Sequence, residues 1–165
     1  MHRRPFSVSA LLASFLFIAL PLASQETVSP CGPRSEKYRI IDHKGEHPTP
    51  KPPSDKALVY VFGEGHRIIA VNGKWVAYGA RGRYAYFEAE PGLLKFCVEP
   101  ASEVDSPLFL TVEGGKTYYI RDKYGGNTFI PPPLKAYHWG LFQLEDSEGE
   151  RLLAKSKFIT MEARK

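Results

Sequence analysis

The stretch from Ala57 to Asp122 constrains the fold more than any other part of the chain. Short apolar runs recur along it, each closed by a turn signal: ALVYVF, RIIAVNGKWVAYG, YAYFEAEPG, LLKFCVEP and LFLTVEGGKTYYIRD. Short strands at this regular spacing are typical of antiparallel sandwiches. We therefore predict an all-β fold, an antiparallel β-sandwich of about seven to eight strands with a short C-terminal helix.

Alternation within these runs assigns residues to faces of the sheets. Ala57–Phe62 is apolar at every position, which predicts a central strand covered on both sides. Asn72-Gly73 lies between two apolar runs and predicts a hairpin with a type I′ turn. In the strand Leu94–Glu99 the even-numbered positions are apolar, so Cys97 is expected on the outer face beside charged residues.

The second half of the chain is less regular. Glycine and proline clusters between Tyr124 and Tyr137 predict a long excursion, a kind of loop that is often functional. A last strand is expected over His138–Glu145. A short helix is then expected over Arg151–Lys157, capped by the polar residues before it. From Phe158 onward the chain is charged and is predicted to be a loose tail.

The N-terminal part shows the features of an export signal. Residues 1–24 have a basic start, an apolar run that ends at Pro21, and small residues before a cleavage position near Ser24/Gln25. The apolar run is shorter than the roughly 20 residues that span a bilayer, although an uncleaved anchor is the alternative. We therefore predict a periplasmic or secreted protein with no stable membrane insertion after cleavage.

The predicted division of the chain follows from these segments. Residues 1–24 form the signal peptide, 25–54 an N-terminal segment with a proline-rich linker, 55–158 the sandwich domain, and 159–165 a C-terminal tail. Lys37–Ile41 could form a short strand. The four prolines between 48 and 53 lack amide donors, so that stretch is expected to be an extended spacer outside any sheet interior.

The charge of the chain argues against a nucleic-acid partner. Cleavage would remove two arginines and no acids, which lowers the net charge from +4 to +2. The remaining lysines and arginines are interspersed with acids, as on an ordinary solvated surface. No basic patch of the kind that binds phosphate backbones is present in the sequence.

The chain has two cysteines, Cys31 and Cys97. An export signal places them where disulfides persist, and two cysteines allow one intramolecular pairing. We predict that Cys31 and Cys97 are bonded to each other and that the bond ties the N-terminal segment to the outer face of the strand Leu94–Glu99. The alternatives are an intermolecular bridge and a nucleophilic Cys97.

No other constellation predicts catalysis, a metal or a cofactor. His43 and His47 have the spacing that converges on a metal only in a helix, and the prolines after them favour extended chain. Solvated linker histidines are the preferred interpretation. Hydrolase, zinc-protease and phosphate-loop motifs are absent from the sequence. We expect no catalytic residues, no metal and no cofactor.

Aromatic residues are more numerous than one small core needs. Strand parity directs several outward, and these could stack on sugar rings or contact a protein. The preferred alternative is that they form cross-strand pairs or lie beneath the proline-rich loop and N-terminal segment. The candidate ligand-facing aromatics are Tyr84, Tyr86, Tyr119, Tyr124, Tyr137 and Trp139.

Several motifs resemble a bacterial family of unknown function, domain of unknown function 2846. They are KALVYV at 56–61, the Pro91-Gly92 turn before a strand ending in Phe96-Cys97, GGKTYYIR at 114–121, and LLAK at 152–155. The similarity spans about Asp55 to Phe158, and Cys31-Gly32-Pro33 also resembles the mature start of some members. The resemblance implies an exported β-sandwich related to carbohydrate-binding or surface-layer modules, and it implies no catalytic residues.

Two classes of function follow. The first is a non-catalytic binding or interaction module of the cell envelope, whose partner is an envelope glycan or another envelope protein. The second is an enzyme of unknown type with its site near the 124–139 loop. The first is favoured because acid–base catalysis needs converging titratable groups, and that loop offers only Lys135 and His138.

Overall fold

A computed structural model of the protein describes residues 31–32, 36–99, 107–126 and 137–164, with only the backbone for 124–126 and 137–139. Within these ranges the chain forms ten strands and one helix. The strands are β1 (Tyr38–Asp42), β2 (Ala57–Gly63), β3 (Arg67–Val71), β4 (Lys74–Gly79), β5 (Arg83–Ala89), β6 (Gly92–Glu99), β7 (Leu108–Val112), β8 (Thr117–Gly126), β9 (Tyr137–Leu144) and β10 (Lys157–Ala163), and the helix is α1 (Asp146–Leu153). The predicted signal peptide and most of the predicted excursion lie outside the described residues.

The strands form two sheets. The six-stranded sheet has the order β1-β10-β5-β2-β8-β9, and the four-stranded sheet has the order β4-β3-β6-β7. The β-rich fold and the antiparallel pairing of most neighbours agree with the all-β, antiparallel prediction, but β10 with β5 and β2 with β8 are parallel. The described residues form ten strands, against the seven to eight predicted. Alternation of side chains in the sequence shows which face of a sheet each residue occupies. It does not show which strand lies next to it or whether that strand runs parallel, so the two parallel pairs could not be predicted.

A hydrophobic core contains residues from both sheets. Val59 and Val61 of β2 cluster with Phe96 of β6 and Ile120 of β8. Strand β2 lies between β5 and β8, and all of its residues are buried, as predicted for a central strand covered on both faces. Strand β9 also matches the predicted last strand to within one residue at each end.

The predicted hairpin joins β3 to β4. Asn72 has φ 49° and Gly73 has φ 80°, the left-handed conformation that a type I′ turn requires at both positions. The Asn72 side-chain oxygen accepts a hydrogen bond of 2.9 Å from the Lys95 amide, which ties the turn to β6. The hairpin prediction is confirmed, and the asparagine also anchors its turn to the neighbouring strand.

The C-terminal end of the described chain differs from the prediction of a loose tail, whereas the N-terminal end contains the predicted short strand. Strand β10 pairs antiparallel with β1 and parallel with β5, so residues 157–163 belong to the sheet. Strand β1 confirms the short strand expected near Lys37–Ile41, but it makes the N-terminal segment part of the sheet. The charge that suggested a tail is compatible with this exposed edge, where Glu162 pairs with Arg39 at 3.1 Å.

The helix begins five residues before its predicted start, at Asp146 and not at Arg151. Asp146 and Glu148 lie in its first turn, where negative charge interacts favourably with the helix dipole and stabilises the helix. Gly149 looked like part of a cap, yet it is buried inside the helix. A Cβ on Gly149 would lie 2.1 Å from the Tyr119 ring, so the bare glycine permits α1 to pack closely on β8.

Candidate interaction surfaces

The outer face of the six-stranded sheet carries an aromatic cluster. Tyr60 stacks on Tyr119 with 5.5 Å between ring centroids, and Tyr86 stacks on Phe158 at 5.4 Å. Leucines from β9 and α1 complete the cluster. Strand parity therefore placed Tyr84, Tyr86 and Tyr119 on the correct face of the sheet.

That face is covered, so two of the candidate ligand-facing aromatics are not available to a ligand. Tyr84 is 1% exposed and Tyr119 is 7% exposed. Helix α1 lies over Tyr119, and the proline-rich segment lies over Tyr84, whose hydroxyl donates a 3.0 Å hydrogen bond to the Pro48 carbonyl. His47 meets the Tyr84 ring edge-on, with 5.3 Å between centroids. The ligand-facing assignment is wrong for both tyrosines, because distant segments cover an outward face.

Burial also changes the acid–base properties of these phenols. It raises the pKa of Tyr60 from 10.0 to about 12, with the neighbouring Tyr119, Tyr84 and Tyr86 adding to the effect. Burial likewise raises the pKa of Tyr84 to about 12. The pKa of Tyr119 is raised by burial and then by acidic residues of α1. All three rings therefore stay neutral well into the alkaline range.

The other candidate aromatics divide into two groups. Tyr86 is partly exposed, so it keeps some accessible ring surface. The side chains of Tyr124, Tyr137 and Trp139 lie outside what the structure describes, although backbone pairing places Tyr124 opposite Trp139 across β8 and β9. Residues 124–126 and 137–139 thus belong to β8 and β9 and not to the predicted loop. An enzyme site near residues 124–139 stays a prediction.

The predicted disulfide joins Cys31 to Cys97 and is present in the structure, with 5.6 Å between the Cα atoms. Cys97 lies on the outer face of β6, as its parity with Lys95 and Glu99 predicted. Gly32 packs closely beside it, since a Cβ there would lie 3.1 Å from the Trp75 ring. The bond holds Cys31 and Gly32 against the four-stranded sheet.

Further along this outer face, two large apolar side chains are exposed. Leu93 is 61% exposed and Phe109 is 57% exposed, more than any other large hydrophobic residue that the structure describes. Leu93 is opposite Thr111 and Lys95 is opposite Phe109 in the pairing of β6 with β7, so the two apolar residues are diagonal neighbours. Strand β7 is also the edge of its sheet. We call Leu93, Phe109 and the edge strand β7 the β7 surface.

A buried ion pair connects the two sheets and was missed by the sequence analysis. Arg67 Nη1 of β3 lies 3.4 Å from Asp122 Oδ1 of β8, and both side chains are almost fully buried. Arg67 shares its parity with Ile69, and Asp122 shares its parity with Ile120, which are core residues. The signal that could have revealed the pair in the sequence was a charged residue at an inward-facing position of each strand. The pair has almost no access to solvent, so we assign it a structural role.

A cleft of about 420 Å³ lies where β1 ends and where β5 and β10 begin. It contains His43 and His47, the histidines considered for a metal. His43 contacts the Thr160 hydroxyl at 2.8 Å through Nε2 and Glu46 at 3.4 Å through Nδ1. Among the described residues no group of three or more histidines, cysteines or acids has the arrangement of a metal site.

Comparison of the chain with protein-family models, with curated proteins and with solved structures found no match. Within the described ranges, no helix is both long enough and apolar enough to cross a membrane. The functional interpretation therefore depends on the surfaces of the molecule itself.

Proposed function

We propose that this protein is a non-catalytic interaction module of the bacterial cell envelope, a β-sandwich that binds another envelope protein at the β7 surface. The observation that carries the proposal is the exposure of Leu93 and Phe109 side by side on one face. Scattered apolar residues are ordinary on protein surfaces, whereas adjacent large ones beside a free strand edge favour a binding role.

The chemistry of β7 supports a strand as the bound element. Within the described residues β7 pairs with β6 alone, and Leu108–Val112 contains neither a charge nor a proline. Soluble proteins usually protect an exposed edge with such residues. The β1 edge of the other sheet follows that rule through Arg39 and Asp42. An unprotected edge suits an extended partner segment that adds one strand through main-chain hydrogen bonds.

The exposure pattern of β7 also specifies the partner segment. Phe109 and Thr111 are exposed, whereas Leu110 and Val112 are buried. An added strand would place alternate side chains beside Phe109 and Thr111 on the outer face of the sheet, with Leu93 on the next strand. We therefore propose an extended segment with apolar residues at alternate positions, supplied by another envelope protein.

The compartment is supported by two independent features. The first 24 residues have the pattern of an export signal. The disulfide between Cys31 and Cys97 is of the kind that persists in oxidising compartments such as the periplasm. The resemblance to exported domains of unknown function 2846 agrees with both. A glycan partner is less well supported, because Tyr84 and Tyr119 are buried.

The experiment is site-specific photocrosslinking in living cells, with the crosslinking residue at Thr111 or, as a control, at Arg39 on the β1 edge. We expect a discrete adduct from Thr111 that is absent from Arg39. The partner segment identified in it should bind the purified domain, and Phe109→Lys should weaken that binding by about tenfold or more.

A matched control variant separates the β7 surface from general surface effects. Ile40→Lys introduces the same charge at the third exposed large hydrophobic, which is 38% exposed on the β1 edge. We expect Ile40→Lys to bind like the wild type. Equal adducts from both crosslinker positions, or equal losses for Phe109→Lys and Ile40→Lys, would exclude the β7 surface as the binding site.

A further inference from the structure

The cleft at the end of β1 is lined by charged residues that take no part in the proposed interaction at the β7 surface. Its walls are the turn His43–His47, the first residue of β5, Arg83, and the residues Ser156 and Lys157 at the start of β10. We propose that this cleft binds a phosphate group, carried either by a soluble phosphate ester or by a lipid headgroup.

Positive charge from three elements converges on the cleft. Lys44 comes from the turn, Arg83 from β5 and Lys157 from β10. Within the described residues neither lysine forms an ion pair, although many other basic side chains of the domain do. The ammonium groups of two lining lysines are therefore available to a ligand. Charge-assisted hydrogen bonds to phosphate are among the stronger polar contacts.

The acidic residues of the cleft are already engaged. Asp42 Oδ2 lies 2.8 Å from Arg83 Nη1, and Glu46 Oε1 lies 3.4 Å from His43 Nδ1. Asp42 and Glu46 are the two acids among the lining residues, against the cations Lys44, Arg83 and Lys157. The balance favours an anion, and the Arg83 guanidinium is the group that an anion and Asp42 would share.

The shape of the cleft suits a small ligand. Its volume of about 420 Å³ falls within the range of pockets that hold metabolite-sized molecules. The backbone around it is well connected, since the Glu46 amide bonds to the His43 carbonyl, the His43 amide to Phe158, and the Lys157 amide to Gly82. The walls are thus held together by hydrogen bonds before any ligand arrives, which lowers the ordering cost of binding.

The first test is an NMR titration of the full-length mature protein with inorganic phosphate, at constant ionic strength maintained with chloride. We expect the largest shifts at the backbone amides of residues 43–47, 83, 156 and 157. Lys44→Gln and Lys157→Gln should each weaken phosphate binding by about tenfold, as expected for the loss of a charged donor. Lys155→Gln, a nearby lysine that does not line the cleft, should bind like the wild type.

A gain of affinity gives a second readout that simple loss of folding cannot imitate. Asp42→Asn removes a negative charge from the cleft and releases Arg83 from its ion pair. We expect this variant to bind phosphate several-fold more tightly than the wild type. Weaker binding by Asp42→Asn in a folded protein would contradict the proposed sharing of Arg83.

The source of the phosphate is distinguished with vesicles. If the ligand is a lipid headgroup, the protein should co-sediment with phosphatidylcholine vesicles that contain phosphatidylglycerol. The Lys44→Gln/Lys157→Gln variant should then stay in the supernatant. Binding of inorganic phosphate without vesicle binding would identify a soluble phosphate ester. Phosphate shifts no larger than those of chloride, or equal losses for Lys155→Gln and Lys157→Gln, would overturn the proposal.

Discussion

The outer faces of the two sheets are covered by different segments. On the six-stranded sheet, Tyr84 and Tyr119 are buried beneath the proline-rich segment and α1. On the four-stranded sheet, the described cover is the short piece Cys31–Gly32, held by the disulfide, and Leu93 and Phe109 stay exposed. One cover is held by packing and the other by a covalent bond. An outward aromatic residue is therefore a candidate for binding only after the distant segments of the chain have been placed.

The largest expected effect concerns the covalent cover. Cys31→Ser should lower the free energy of unfolding by about 4 kcal/mol, the chain-entropy value for closing a loop of this length. The bond spans a sequence separation of 66 residues. Denaturant unfolding of the purified protein measures the change.

The matched controls are Cys97→Ser and the double variant Cys31→Ser/Cys97→Ser. All three proteins lack the same bond, so they should be destabilised to a similar extent. A Cys31→Ser protein as stable as the wild type would mean that the cover contributes little, and that the two faces differ less than we infer.

The packed cover is tested by Gly149→Ala. The new Cβ would overlap the Tyr119 ring, and overpacking of this kind costs about 1–3 kcal/mol. This loss should exceed the gain of about 1 kcal/mol that alanine normally brings inside a helix. Ser147→Ala, at an exposed position of the same helix, serves as the control and should cost less.

A second substitution shows whether the contact itself is responsible. Tyr119→Val removes the aromatic ring, so Gly149→Ala should be less costly in that background than in the wild type. Strictly additive effects in thermal or denaturant unfolding would indicate that α1 does not pack on Tyr119 as described.

The buried phenols predict a loss of stability in alkali. Burial raises the pKa of Tyr60 from 10.0 to about 12, so the folded protein binds its proton more tightly than the unfolded chain does. The resulting stabilisation is complete below pH 10 and is lost as the pH rises through about 12. Urea midpoints measured at intervals from pH 8 to about pH 12 should therefore fall across the upper half of that range.

Tyr60→Phe should flatten this decline, because phenylalanine has no proton to lose. Tyr38→Phe, on the edge strand β1 and outside the aromatic cluster, should keep the wild-type pH dependence. If Tyr60→Phe declined as steeply as the wild type, ionisation of the cluster would not be the cause.

The smallest effect is expected on the exposed face. Leu93→Thr and Phe109→Thr should each change the free energy of unfolding by no more than about 0.5 kcal/mol, since surface substitutions rarely do more. Tyr119→Ala, on the covered face, should cost several times as much. A large loss from Phe109→Thr in thermal unfolding would show that the residue is packed, and would remove the main support for the β7 surface.

Local patterns were sufficient for a substantial part of the fold. Asn72-Gly73 specified its hairpin because these residues tolerate a positive φ in a two-residue turn. The uninterrupted apolar run Ala57–Phe62 specified a central strand, since only burial on both faces accommodates it. Parity alone placed Cys97 outward, and the number of cysteines then specified its partner.

Contacts between distant segments decided the rest. Pairing of β1 with β10 made a strand of the predicted tail and gave the predicted short strand its neighbour, and neither segment shows this partner in its own sequence. The same kind of long-range packing placed Gly149 of α1 against Tyr119 and buried Tyr84 and Tyr119. Arg67 and Asp122 became a buried pair because the two sheets meet there. Sequence periodicity by itself determined which face each residue occupies, and only the tertiary structure decided what covers that face, because the covering segments are remote along the chain.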